Sequence, residues 1–291
     1  IQVGLVGSEM CIRDSSKAEK QQNIIDSMNR PAEKVVTWDE YKSRVSFFRI
    51  QNGKIFLRTY KKWFDKAEDE FGVPREVIAA IIGLETNYGG YKGKIRVIDA
   101  LSTAAFDYPR RRTFFKKQLE EFFLLSREEN FDVMRIRGSY AGAMGFAQFM
   151  PDNYRKLALD FDEDGKKDIL NNAADAIGSV ANFLASDAGN KRGWEEDGFI
   201  ALPAKAKKKN VKIKSSFGLK PYDKLDIFYN QTDFDFPKQY IQISLFPNDE
   251  TKDEFWIGDK NLYAITRYNP SSKYAMSVFL LSEELKITSD L

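Results

Sequence analysis

Residues 72–93 read GVPREVIAAIIGLETNYGGYKG, and they give the chain its helical character. Pro74 suits the first position of a helix, where a missing N–H costs nothing, and Glu76 complements the positive N-terminal end. An apolar run follows, and Tyr88-Gly89-Gly90 closes the helix. On a helix, residues three, four and seven apart share a face, so Glu85 lies on the same stripe as Ile78, Ile81 and Ile82. It stands where a core residue belongs. A carboxyl beside that much hydrocarbon loses hydration, which disfavours its charged form and raises its pKa toward the value a general acid requires. A glutamate at a helix end bonded to a buried amide or arginine fits the same segment.

Outward from this helix, residues 16–70 read as helical. KIFLRTYKKWFDKAEDEF (54–71) places Phe56, Tyr60, Trp63, Phe64 and Ala67 at helical spacing in one scaffold helix. Further helices are expected through FFKKQLEEFFLLSRE (114–128), through AGAMGFAQFMPDNYRKLAL (141–159) as two pieces broken at Pro151, and through NAADAIGSVANFLAS (172–186). From Ala204 the lysine-rich AKAKKKN introduces alternating segments, VKIKSSFG, KLDIFYN, QYIQISLF and EFWIG, which read as a small antiparallel sheet. The lysine run reads first as a solvated linker face, with attraction to an anionic polymer as the alternative. SSKYAMSVFLLSEEL (271–285) returns to helical spacing.

Composition narrows the chemistry. With 43% apolar and 14% aromatic residues in 291, the chain can bury a sizeable core. Forty-five Lys and Arg against 43 Asp and Glu leave no global field for nucleic acid, and no apolar run approaches the roughly 18 residues of a membrane span. Histidine is absent, which removes Ser-His-Asp and Cys-His nucleophile systems and most zinc or iron sites. Met10 to Ser15 read as a translation of ATGTGTATAAGAGACAG, a transposon end used in sequencing-library preparation, so residues 1–15, with the sole cysteine Cys11, are expected to be foreign to the fold, with an ordinary disordered N-terminal tail as the alternative.

DFDEDGKKDILN (160–171) fits a twelve-residue calcium loop at most positions. Asp160, Asp162 and Asp164 stand at one, three and five, Gly165 at six, the Lys166 carbonyl at seven and Asp168 at nine. Position twelve is Asn171 instead of a bidentate Glu, so the expected affinity is reduced. A structural Ca2+ is expected, with a solvated acidic turn as the alternative; no organic cofactor is expected.

Five separated blocks carry a resemblance: 72–112 (GVPREVIAAIIGLETNYGGYKGKIRVIDALSTAAFDYPRRR), 137–154 (RGSYAGAMGFAQFMPDNY), 160–170 (DFDEDGKKDIL), 175–184 (DAIGSVANFL) and 264–279 (AITRYNPSSKYAMSVF). In this order the chain resembles the membrane-bound lytic murein transglycosylase B family. The resemblance implies an α+β, mainly α fold: a lysozyme-like helical core with a helical N-terminal part and a small antiparallel β domain. The expected layout is 16–70 as N-terminal helical region, 71–203 and 262–291 as catalytic core with the calcium loop, and 204–261 as β domain. It implies a lytic transglycosylase that cleaves the MurNAc-GlcNAc bond of peptidoglycan without water, leaving 1,6-anhydro ends. The alternatives are a hydrolytic muramidase and a peptidoglycan-binding module without catalysis.

The family's catalytic acid falls on Glu85, and its substrate-binding residues on Ser139, Gln148, Phe149, Asn269, Ser271, Tyr274, Arg110 and Arg111. By their own settings, Ser139 and Gln148 also fit tight packing among small residues, Tyr274 a core position, and Arg110 to Arg112 surface charge. The nearest candidates for a second carboxylate, Asp99 and Asp107, serve equally as a helix cap or an arginine partner. The implied partners are glycan strands and other cell-wall enzymes. The implied location is the periplasm, with a lipid anchor in the outer membrane.

Overall fold

The computed structural model describes residues 16–30, 35–186, 193–196, 198–208, 212–229, 239–246 and 253–286. Residues 1–15 and, at the end of the lysine run, 209–211 lie outside them. The chain divides into two compact units, one of Glu85–Ser179 with the segment up to residue 31, the other of residues 32–84 and 180–291.

In the first unit, helix α1 (Gln22–Asn29) packs on α6 (Val97–Asp107), and α6 packs along α7 (Arg112–Glu128). Helix α7 forms because Phe115, Leu119, Phe122 and Leu125 recur at helical spacing and bury one stripe. Strands β1 (Ile95–Arg96) and β2 (Arg137–Gly138) make a minimal antiparallel ladder. The segment 141–150, expected as helix, is a chain of turns before α8 (Pro151–Leu157). Gly142 (φ 85°), Gly145 (φ 72°) and Gln148 (φ 47°) are left-handed, which no right-handed helix admits, and Met144 and Phe149 pair across the turns at 2.9 and 3.1 Å.

Asp99 is wholly buried and accepts from Arg96 Nε at 2.6 Å, Glu19 N at 2.9 Å and Gln21 Nε2 at 3.1 Å. Asp107 pairs with Lys20 at 2.7 Å. Both carboxylates hold the N-terminal segment in place.

In the second unit, α2 (Trp38–Lys42) opens on a capping box in which Thr37 and Glu40 each satisfy the other's backbone N–H. The scaffold helix expected over 54–71 is two helices, α3 (Phe47–Thr59) and α4 (Lys61–Phe71), joined at Tyr60. The break brings the Tyr60 ring 4.8 Å from Phe56, which also meets Phe64 at 5.7 Å. Gly72 (φ 63°) then ends α4, and α5 (Arg75–Thr86) begins after Pro74, whose carbonyl accepts from Val77 and Ile78.

The sheet runs in the order β4 (Ser216–Lys220), β6 (Tyr240–Leu245), β7 (Glu254–Gly258), β3 (Ala201–Ala206), β5 (Ile227–Phe228), all antiparallel. Ile213, Leu225, Ile227, Tyr240 and Ile257 form its core. Strand β3 escaped sequence reading because Pro203 and the lysines disguise it. Helices α10 (Lys260–Tyr268) and α11 (Ser272–Lys286) lie against β6. The remaining helix, α9 (Ala173–Ala185), follows the calcium loop. The mainly helical α+β architecture with a small antiparallel sheet is as expected. Among the described residues, no helix is long and apolar enough to cross a membrane.

Candidate active site

Glu85 is the penultimate residue of α5 and is half-buried, three residues past a run in which Val77 to Ile82 are all 0% exposed. Asn87 (φ 49°), Tyr88 (φ 58°) and Gly89 (φ 87°) then turn the chain through three left-handed residues. A Cβ on Gly89 would stand 2.1 Å from the Phe146 ring, so only glycine lets that ring close on the helix end. The hydroxyl of Thr86 donates to the Phe146 carbonyl at 3.1 Å and accepts from Gly89 N at 3.0 Å. Lys92 Nζ lies 4.6 Å from the Phe146 ring centre and donates to the Leu170 carbonyl at 2.7 Å. The end of α5 is thereby tied to the loop that holds Gln148.

Gln148 donates from Nε2 to the carbonyls of Gly145 (2.9 Å) and Lys92 (3.3 Å), which fixes its amide and directs Oε1 toward another donor. Ser139 Oγ accepts from Ala143 N at 3.0 Å and Ala141 N at 3.2 Å, so its own proton is available to donate. The glycines here are packing positions: a Cβ on Gly93 would lie 2.1 Å from the Gly138 carbonyl, and one on Gly138 2.3 Å from Ala143 O.

Phe149, expected as a cleft aromatic, is 1% exposed; its ring belongs to the core, and its backbone supports the Gln148 turn. Arg110 and Arg111 sit on an exposed 3₁₀ turn after Pro109, with the Arg111 guanidinium 4.1 Å from the Phe114 ring centre.

In the second unit, half-buried Asn269 terminates α10, and its carbonyl accepts from Ser271 N at 2.8 Å. Ser271 Oγ accepts from Tyr274 N at 3.3 Å at the start of α11. Tyr274 is 3% exposed and stacks parallel to Tyr268 at 6.4 Å. The structure thus gathers Glu85, Ser139 and Gln148 in one unit, and Asn269, Ser271 and Tyr274 in the other.

The acidic loop brings Asp160, Asp162 and Asp164 together with ligand oxygens within 4.8 Å of one another. Glu163 (φ 64°) and Gly165 (φ 90°) curl the loop, and Asp160 accepts from the Asp164 and Gly165 amides at 3.0 and 2.8 Å. Asp162 Oδ1 is buried without a hydrogen-bond partner, the state of an oxygen shaped for a cation. Asp168 instead accepts from Leu170 N, Asn171 N and the Asn171 amide. Lys166 N donates to Asp164 at 2.9 Å.

Two contributors escaped sequence reading. Thr86 gives no motif of its own, since its role depends on a carbonyl 60 residues away. Asp175, wholly buried in the first turn of α9, receives Phe161 N and Asp168 N at 2.7 Å each and so braces both ends of the loop. Burial pushes its pKa up, against those two amides. Its place in NAADAIG, three residues past Asn172, was the available signal.

A profile described as transglycosylase SLT domain matches residues 8–283. Membrane-bound lytic murein transglycosylase B of Escherichia coli K12 is 36% identical over 262 residues, covering 86% of this chain and 68% of that protein. The Escherichia coli lytic transglycosylase Slt35 in complex with calcium superposes with TM-score 0.84 at 32% identity, over 97% of this chain and 88% of that one. Catenated lytic transglycosylase SltB1 of Pseudomonas aeruginosa superposes with TM-score 0.83 at 36% identity, over 96% and 91%.

Proposed function

From the premise that this chain belongs to the transglycosylase SLT family, we propose that it cleaves the bond between N-acetylmuramic acid and N-acetylglucosamine in peptidoglycan, with Glu85 as its single acid and base. The observation that carries this reading is where the one family-matched carboxyl stands. Glu85 stands at the end of α5, past the buried run Val77 to Ile82, whereas Asp99 and Asp107, the nearest candidates for a partner, are engaged with Arg96 and Lys20. Neither of these two carboxylates is left to serve as the second member of a two-carboxylate glycosidase mechanism.

In its acid form Glu85 donates to the glycosidic oxygen while the muramyl N-acetyl group supports positive charge at C1. The resulting carboxylate takes the proton of the 6-hydroxyl, whose oxygen attacks C1 and closes a 1,6-anhydro ring. The bond breaks without water, and Glu85 regains its proton at each turnover. Gln148 Oε1 and Ser139 O–H orient the sugar, and Phe149 acts from beneath by holding the Gln148 turn. Asn269, Ser271, Tyr274, Arg110 and Arg111 are assigned to the glycan and its peptide.

The calcium bound by the Escherichia coli relative supports a Ca2+ on Asp160, Asp162 and Asp164, with Asp175 bracing the loop. Such an ion supplies structural cohesion and no step of the reaction. A peptidoglycan substrate supports a periplasmic location, and the relative named membrane-bound supports a lipid anchor.

Digestion of purified peptidoglycan by wild type and Glu85→Gln, followed by mass spectrometry of the muropeptides, tests the reading. Anhydro products from wild type alone are expected. Reducing ends would assign a hydrolytic muramidase, and absence of products a binding module.

A further inference from the structure

Helix α3 (Phe47–Thr59) is apolar on two sides. Its inner side buries Gly53 and Phe56. Its outer side presents Phe47 at 68% exposure, Phe48 at 76% and Ile55 at 60%. Positions 48, 52, 55 and 59 form one line along a helix, and 47, 54 and 58 the adjoining line. The exposed surface is therefore a strip of Phe48 and Ile55, with Asn52 and Thr59 on the same line, bordered by Phe47, Lys54 and Arg58. Three large side chains held in water on one helix face are unfavourable without a partner.

Charge identifies that partner. Between Glu40 and Asp65 there is no acidic residue, yet Lys42, Arg44, Arg49, Lys54, Arg58, Lys61 and Lys62 all lie there. Some are engaged in the fold: Arg44 covers the Tyr41 ring, Arg49 donates to the Arg44 carbonyl, and Lys61 pairs with Asp65. Lys54 and Arg58 border the apolar strip itself. A second copy of this chain would set cations against cations. A glycan strand stacks on flat aromatic platforms, whereas the Phe47 and Phe48 rings meet at 75° and offer no shared plane. An anionic bilayer surface accepts rings at any angle among its acyl chains while lysine and arginine extend to its phosphates.

We propose that the outer face of α3 docks on anionic lipid, with Phe47, Phe48 and Ile55 entering the interface and Lys54 and Arg58 meeting phosphate groups. The contact is separate from catalysis, so it brings the enzyme to a membrane surface without involving Glu85.

Flotation with vesicles containing phosphatidylglycerol, compared with pure phosphatidylcholine vesicles, tests it. Wild type and Glu85→Gln should both float with the anionic vesicles only and be released by added salt. Phe48→Ser with Ile55→Ser should lower binding at least about tenfold. Lys54→Gln with Arg58→Gln should lower it about fivefold for each charge removed. Circular dichroism and digestion of soluble glycan fragments should match wild type in both variants, which separates lost docking from lost folding. Binding to neither vesicle, or equal binding to both, overturns the proposal. So does a loss of retention on peptide-free sacculi in these variants with vesicle binding intact, which would give the face to the cell wall.

Discussion

The Thr86 hydroxyl donates to the carbonyl of Phe146, 60 residues further along the chain, at 3.1 Å. It is the side chain next to Glu85, and it ties the helix end to the turn that orients Gln148. Thr86→Val keeps the shape but removes this bond and the one from Gly89 N, leaving backbone groups unsatisfied at a cost of about 1–2 kcal/mol in urea unfolding. Turnover on solubilised glycan strands should fall about tenfold with KM little changed, since misplacement of Glu85 acts on the transition state. Thr86→Ser should restore both. An equal loss with Ser and Val would deny the hydroxyl any positioning role.

Gly89→Ala tests the same junction from the other side. The added methyl meets the Phe146 ring at 2.1 Å, and the backbone at φ 87° is strained for any L side chain. Overpacking and strain together should cost on the order of 2–4 kcal/mol. A melting temperature unchanged from wild type would show that the ring moves aside freely.

Calcium should raise the melting temperature and a chelator should lower it, because the ion binds a loop that exists only in the folded chain. Asp162→Ala removes the buried, unpartnered oxygen and should abolish the calcium-dependent shift while leaving anhydro products unchanged in identity. Melting that ignores both calcium and chelator would exclude the site.

Asp259 caps α10 through Asn261 N at 2.7 Å yet is wholly buried, and burial first, with the nearby Glu195 charge contributing, lifts its pKa from the ordinary 3.8 to about 7. Between those values the folded protein keeps a proton that the unfolded chain has released. Stability from this group is therefore fully present below about pH 4 and declines as pH rises to about 7, by at most about 1.4 kcal/mol per pH unit. Asp259→Asn retains a cap and should flatten that slope in denaturant titrations at several pH values. An unaltered slope would place the titration elsewhere.

Local sequence carried the elements whose cause is local. The stripe Phe115, Leu119, Phe122, Leu125 gives α7, and Asp160, Asp162, Asp164 and Gly165 give the loop. The segment 141–150 misled because its small and apolar residues satisfy helical spacing while its glycines and Gln148 take left-handed backbone, and spacing does not report φ. Phe149 was legible as an aromatic beside the site but not as a core residue, because burial is set by neighbours from other segments. Asp175 and Thr86 were hidden for the same reason: each acts on backbone groups supplied from elsewhere in the chain.

Pro203 pairs opposite Trp256 where β3 meets β7, and β5 covers β3 only at Lys205 and Ala206. Among the described residues nothing else pairs with that edge of β3, and Pro203, lacking an N–H, removes a donor from it. Another chain's strand finds there an interrupted ladder, so the same residue that disguised this strand guards the sheet against growing from molecule to molecule.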